Sequence, residues 1–290
     1  MCTSINDKLM AELLLMGFNC NNLILEKIRS KDGVFVYRVI IDNQSYVIKY
    51  FSNSIFKREI YNYKLLKSVR VPTMYVINQT EDSILLEDIS NSDIYRLGVA
   101  QDLVDETSAS LIAKWYKILH SQGENVIGLS NLYCETDVIQ KDSIVMLKKK
   151  SCTENYQVWS LILENLDTLK SIISQCRQTL TYNDFYWTNL SVAKNMSSAM
   201  MFDYNLLGRG YRYSDIRNVC SSLSENAEIA FLKEYGRFDP REKIIDEGIS
   251  ILVNLLNAFQ KEKFPKWGHY SLEKLKNGDF FDRVKRILEL

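Results

Sequence analysis

Asp184, Asn189 and Asp203 are the residues of this 290-residue chain whose types and spacing best suit chemistry. Asn189 stands five positions after Asp184, and Asp203 ends the next apolar run, Ala199 to Phe202. Carboxylate and amide oxygens are hard donors that can hold Mg2+ against phosphates, while a further carboxylate orients an attacking hydroxyl. Charge spreads over a phosphoryl group as it moves, so positioning and electrostatic stabilisation are what such a set contributes. Upstream, Lys49 lies inside the apolar stretch Tyr46-Val47-Ile48-Lys49-Tyr50, with Glu59 ten positions later. An ammonium there can touch a triphosphate while the carboxylate holds it in place. Singly, an Asp or Asn in a loop is more often a turn former or a cap; the ordered set carries the reading.

The elements that must position these groups fall into two kinds. Gly33 to Ile41 and Ser45 to Phe51 are rich in Val, Ile, Tyr and Phe and are joined through Asp42, Asn43 and Gln44, a hairpin signature. A helix is expected from about Ser54, as N-cap, to Ser68, closed by Pro72. Two more strands are expected over Met74 to Ile77 and Ser83 to Leu86. Beyond Asp88 the periodicity predicts long helices over Thr107 to Ser121 and Gln157 to Cys176. Another begins at Asp239-Pro240-Arg241-Glu242, with Asp as N-cap, Pro at the first helical position and Glu three residues after the cap. Short strands are expected over Thr179 to Thr181, Leu190 to Ala193 and Ala199 to Phe202. The reading is an α+β, bilobal fold: residues 1–88 a small antiparallel-sheet lobe with one helix that binds nucleotide, residues 89–290 a larger, mostly helical lobe for catalysis and substrate. Glu87-Asp88-Ile89 lies where one pattern gives way to the other, and backbone groups at such a hinge can hydrogen-bond an adenine edge.

With Asp184, Asn189, Asp203, Lys49 and Glu59 in this order, the chain resembles the aminoglycoside phosphotransferase and choline kinase superfamily, small-molecule kinases of protein-kinase-like fold. The likeness runs from about Gly33 to Trp267. It implies that Lys49 binds phosphate, that Glu59 is its helix partner, and that Glu87 to Ile89 form the nucleotide hinge. It further implies that Asp184 is the catalytic base, that Asn189 and Asp203 ligate Mg2+, and that ATP or GTP is the co-substrate. Asp215 resembles the downstream aspartate that braces the catalytic loop, and Leu119-His120 falls where many members carry Leu-His. Gly33 is the one glycine in the phosphate-loop region, Ser30 to Val34. Members usually begin the catalytic loop His-Gly-Asp, where this chain has Tyr182-Asn183-Asp184. The metal segment often reads Asp-aromatic-Glu, where this chain has Asp203-Tyr204-Asn205.

Composition narrows the partners. Lys plus Arg and Asp plus Glu each number 36, so no global field draws the protein to nucleic acid or an anionic membrane. The apolar run Ile249 to Phe259 is too short to span a bilayer, and the N-terminus lacks a signal pattern. The six cysteines, Cys2 among them, contain no C-x-x-C pair, which favours reduced thiols in a cytoplasm. The acidic residues Glu225, Glu228, Glu234, Asp239, Asp246 and Glu247 could receive a cationic acceptor, but Lys233, Arg237, Arg241 and Lys243 are interleaved and a mixed-charge surface is favoured. His120 is read as structural, and Phe185-Tyr186-Trp187 as core or as a wall of the acceptor pocket. The expected activity is Mg2+-dependent transfer of a γ-phosphate to a small-molecule hydroxyl, with aminoglycosides and amino alcohols among the candidates. A nucleotide-binding pseudoenzyme and a protein kinase are the alternatives. Only twelve positions separate Asp203 from Asp215 and no Ala-Pro-Glu follows, which disfavours a peptide substrate. Acceptor identity and oligomeric state stay open.

Overall fold

The computed structural model describes residues 4–290. Cys2 lies outside them. Ten strands are described: β1 (Ile24–Lys31), β2 (Val34–Ile41), β3 (Gln44–Phe51), β4 (Val76–Gln79), β5 (Ser83–Glu87), β6 (Tyr95–Leu97), β7 (Gln178–Thr181), β8 (Leu190–Ala193), β9 (Ala199–Met201) and β10 (Gly208–Tyr211). The helices are α1 (Ile5–Leu15), α2 (Arg58–Ser68), α3 (Glu106–Gly123), α4 (Lys141–Lys150), α5 (Gln157–Glu164), α6 (Leu166–Gln175), α7 (Arg212–Cys220), α8 (Glu225–Tyr235), α9 (Pro240–Ala258), α10 (His269–Lys276) and α11 (Asp279–Leu288). The class is α+β.

By contacts the chain forms two compact units. One comprises Met1–Gln122, Asp184–Leu207 and Val219–Tyr235; the other comprises Gly123–Asn183, Gly208–Asn218 and Gly236–Leu290. The first is organised on a five-stranded antiparallel sheet in the order β1-β2-β3-β5-β4. Asp42 and Asn43 alone make the β2–β3 turn, with φ of 48° and 62°, and Gln44 already pairs with Ile41. Two consecutive left-handed residues are what a tight hairpin requires, and Asp and Asn tolerate that region best after Gly.

One face of this sheet carries Tyr37, Val39, Ile41 and Ile48 against Leu9 and Leu13 of α1 and Met16 just after it; α1 is a helix the periodicity did not reveal. Full burial of a leucine stabilises by about 2 kcal/mol, so α1 is part of the core rather than an appendage. The sheet-bearing segment before residue 88 therefore holds two helices. Ser4 and Asp7 form the capping box that starts α1. The cap expected at Ser54 belongs to Asn53 instead: its Oδ1 accepts from Ile55 N at 3.1 Å and opens a 3-10 turn, Ser54–Lys57, that leads into α2. The same unit holds the small sheet β6-β8-β9.

The second unit is helical around α9. Ile245, Ile249, Leu252 and Leu256 pack with Val158 and Trp159 of α5 and with Phe280, Val284 and Ile287 of α11. A Cβ at Gly248 would lie 2.6 Å from Ile287 Cδ1, so this glycine sets how near α11 comes to α9. Asp239 caps α9 through Arg241 N, as expected. The Glu242 carboxylate does not return to the cap; it accepts from Tyr213 N at 2.9 Å. The single helix expected over Gln157 to Cys176 is two, broken at Asn165, whose φ of −114° and ψ of 21° leave the helical region. β7 pairs with β10, which the alternation pattern did not mark.

Candidate active site

Lys49 lies on β3 opposite Val36 of β2 and Ile84 of β5. Its ammonium donates to Glu59 Oε1 at 2.7 Å and to Asp203 Oδ1 at 3.0 Å. Glu59 sits in the first turn of α2 and is 1% exposed, so it can serve no solvent role. Burial works to neutralise Lys49, but the Asp203 and Glu59 charges and hydrogen bonds more than reverse this and hold it charged above its ordinary range.

Asp203 follows β9 with φ 65° and ψ 68°. A left-handed conformation at a non-glycine residue is held only when its surroundings insist, and such residues concentrate at functional sites. Here α2 does the holding. Buried Asn62 donates its Nδ2 to Tyr204 O at 2.7 Å, and Tyr63 packs edge-on against Tyr204 with ring centroids 4.8 Å apart. Burial acts upward on Asp203, but Lys49 and then Arg29 outweigh it and keep the carboxyl below its ordinary range.

Asn189 lies in a 3-10 turn just before β8, and Phe202 N donates to its carbonyl at 3.0 Å. Its Nδ2 donates to Asp184 O and Asp184 Oδ2, both at 3.2 Å, which leaves the amide oxygen as an acceptor. Burial first, and then the Asp203 charge, push Asp184 up to about 6 against the Asn189 hydrogen bond and the Arg29 and Lys49 charges. A carboxylate raised in this way is a better proton acceptor at neutral pH.

Asp184, Asn189, Asp203, Lys49 and Glu59 line one cavity of about 340 Å3, all within the sheet-bearing unit. Among the described residues no cluster of three His, Cys, Asp or Glu forms a metal cage. What Asp184, Asp203 and Asn189 offer there is two carboxylates and an amide oxygen, which fits Mg2+, an ion that takes one or two protein carboxylates together with substrate phosphates. The other expected residues stand elsewhere. Gly33 forms, with Asp32, the β1–β2 turn at φ 85°, and its carbonyl accepts from Ser52 N and Oγ; its neighbours Asp32 and Val34 reach the cavity lining. Glu87 receives Tyr75 N at 2.7 Å. Asp88 is 6% exposed, ties Arg38 at 2.7 Å and Ser45 at 2.6 Å, and caps the short turn Ile89–Asn91. Ile89 is buried. The side chains of this triplet are thus spent on structure. Arg29 and Lys31 of β1 line the cavity; Lys31 falls within the expected phosphate-loop region, whereas Arg29 was not anticipated, because β1 itself was not.

In the second unit, fully buried Asp215 accepts from Tyr182 N at 2.7 Å and Asn183 N at 2.8 Å. Asn183 has φ 64°, a left-handed position at which a glycine is the default and asparagine the best substitute. The replacement of His-Gly by Tyr182-Asn183 therefore keeps a backbone-competent residue at the position that needs one. A separate pocket of about 130 Å3 in this unit contains Asp246, which is not the surface acid expected: it is 1% exposed and bound to Arg217 Nε at 2.6 Å and Tyr211 hydroxyl at 3.0 Å. His120 is buried in the first unit, its Nδ1 2.7 Å from Tyr235 hydroxyl, in keeping with a structural role. Phe185 is buried beside Tyr116, whereas Tyr186 is exposed and lines the cavity.

The fold is the kinase-like bilobal one of solved choline kinases and aminoglycoside and spectinomycin phosphotransferases. The chain is similar to choline kinase LicA from Streptococcus pneumoniae at 14% identity and TM-score 0.63, covering 99% of this chain and 100% of that one. It is similar to a choline/ethanolamine kinase family protein from Mesorhizobium loti at 13% identity and TM-score 0.65, over 99% and 100% of the two chains. A third likeness is to the spectinomycin phosphotransferase APH(9)-Ia, solved with ADP and spectinomycin, at 13% identity and TM-score 0.55, over 99% and 98%. No protein-family profile matches the chain, and no curated protein matches it by sequence.

Proposed function

We propose that the protein is a small-molecule kinase that moves the γ-phosphate of ATP or GTP to an acceptor hydroxyl, acting in the cytoplasm. The observation that carries this reading is the meeting of Lys49, Glu59, Asp184, Asn189 and Asp203 around one cavity, from segments as distant in sequence as β3 and β9. Lys49, held charged between Glu59 and Asp203, would bind nucleotide phosphate. Asp203 and the amide oxygen of Asn189 would hold Mg2+, which when bound neutralises charge on the phosphate oxygens. Asp184, its carboxylate fixed by Asn189, would orient the acceptor hydroxyl and take its proton. In this reading residues 1–88 supply the nucleotide contacts, with the backbone of Glu87 to Ile89 toward the base, and residues 89–290 the catalytic and acceptor groups. The solved neighbours include kinases named for choline, ethanolamine and spectinomycin, so amino alcohols and aminoglycosides head the acceptor panel.

A protein substrate is less favoured. Between Asp203 and Asp215 the chain is already committed to a 3-10 turn (Tyr204–Leu206), β10 and the start of α7, which leaves little chain for a peptide-receiving segment. The test is nucleotide turnover with Mg2+, ATP or GTP and a panel of amino alcohols, aminoglycosides and sugars. Acceptor-dependent turnover should appear with at least one acceptor and fall by about 100-fold or more in Asp184→Ala. Turnover that is unchanged in Asp184→Ala, or absent across the panel, contradicts the reading.

A further inference from the structure

Strand β1 pairs with β2 in a register that shifts between Lys27 and Arg29. Lys27 stands opposite Tyr37, and Arg29 opposite Val36, so Ile28 is the extra residue of a bulge. Paired residues share a face of a sheet, and successive residues alternate faces. Before the bulge, Leu25 and Lys27 share the face of Val39 and Tyr37, which is packed on α1. After it, Arg29 and Lys31 share the face of Val36 and Val34, both of which line the cavity. Without the bulge Arg29 would point with Lys27 to the opposite side; the bulge re-aims it.

The row continues across the sheet: Arg29 is opposite Val36, Val36 opposite Lys49, and Lys49 opposite Ile84. Two strand spacings separate Arg29 from Lys49, about 10 Å at the backbone. Their side chains rise from the same face with Asp184 and Asp203 in the same cavity lining. Arg29 has no ion-pair or hydrogen-bond partner among the described residues, unlike Lys49, and its charge is felt at both Asp184 and Asp203. A guanidinium held unpaired over a cavity suits a multidentate anion such as a polyphosphate.

The turn at the end of β1 explains why such a residue is needed. Asp32 and Gly33, with φ of 53° and 85°, are the whole connection between Lys31 and Val34. Nucleotide cradles built from backbone amides need a longer glycine-rich loop. The connection here is two residues long and contains one glycine, too little chain for such a loop.

We propose that Arg29 is the clamp for the nucleotide's β- and γ-phosphates, a side chain replacing a backbone cradle; this rests on the phosphotransfer reading above. Arg29 is exposed, so its removal leaves the fold intact. The experiment is calorimetric titration of ATP, ADP and adenosine, with Mg2+, into the wild type, Arg29→Ala, Arg29→Lys and Lys27→Ala. Arg29→Ala should weaken ATP and ADP by about 10-fold or more, with Arg29→Lys between it and the wild type. Adenosine affinity should not change, which separates phosphate contact from a structural role. Lys27→Ala, the same charge loss on the other face, should bind like the wild type. Unchanged ATP affinity in Arg29→Ala, or an equal loss for adenosine, overturns the proposal while leaving the phosphotransfer reading standing. Failure of the wild type to bind ATP overturns both.

Discussion

In the helical unit, Asp246 is matched by Arg217 and the Tyr211 hydroxyl at 2.6 and 3.0 Å, the guanidinium donating to one carboxylate oxygen and the phenol to the other. In the sheet-bearing unit, Glu59, Asp184 and Asp203 share a cavity lining in which Lys49 is already bound to two of them. In the first network both oxygens of the carboxylate have a partner, although burial still pushes Asp246 upward. In the second, burial and then the like charge of Asp203 push Asp184 upward, and two features stand out, the left-handed Asp203 backbone and the unpaired Arg29 guanidinium. Buried charge that is mutually satisfied holds a core in one arrangement; buried charge left incomplete holds a place for something else. On the proposed reading, the same residue types do structural work in one unit and ligand binding in the other.

The comparison breaks most visibly if a charge is removed from the first network. Arg217→Ala leaves Asp246 buried without its cation and should destabilise the protein by about 3 kcal/mol in denaturant unfolding. A loss below about 0.5 kcal/mol would mean that Asp246 is not matched as described. The opposite sign is expected in the cavity. Asp184→Asn removes a buried like charge from beside Asp203 yet can still accept from Asn189, so it should raise stability by roughly 1 kcal/mol at pH 8 without metal, while abolishing turnover. A destabilised Asp184→Asn would show that the cavity is a structural network like the other.

The smallest effect concerns Glu242, which is buried in the helical unit and pushed up to about 7, chiefly by burial, against the Tyr213 N hydrogen bond. Its folded value lies above the ordinary 4.5, so its contribution to stability is complete below pH 4.5 and is lost as pH rises through 7. Stability measured against pH should therefore fall across that window more steeply in the wild type than in Glu242→Gln. Parallel curves would show that Glu242 is not the titrating group.

What the sequence made legible follows from what constrains it. Asp184, Asn189, Asp203, Lys49 and Glu59 could be found because metal and phosphate chemistry demands those types at those spacings, and the structure brings all five to one cavity. The β2–β3 hairpin was legible because apolar alternation and Asp42-Asn43 agree on it. Strand β1 was not, since Ile-Leu-Glu-Lys-Ile-Arg-Ser-Lys is charged and the bulge at Ile28 interrupts the period of two; Arg29 was hidden with it. The break at Asn165 was masked because apolar periodicity runs on through α5 and α6. Asn62 carries no signal in sequence, for an asparagine within a helix is ordinarily solvated; only tertiary contact reveals that it secures the segment after Asp203. Asp246 was misjudged for the same reason, since its guanidinium partner lies on another helix.

On the proposed reading, a magnesium-bound nucleotide completes the sheet-bearing unit's cavity. Its most direct measurement is calorimetric titration of ATP into the wild type and Asp203→Asn, each with Mg2+ and with EDTA. Tight binding by the wild type is expected only with Mg2+, and weak, Mg2+-independent binding by Asp203→Asn. Equal affinity with and without Mg2+ in the wild type, or an Asp203→Asn protein that keeps the full Mg2+ dependence, would contradict it.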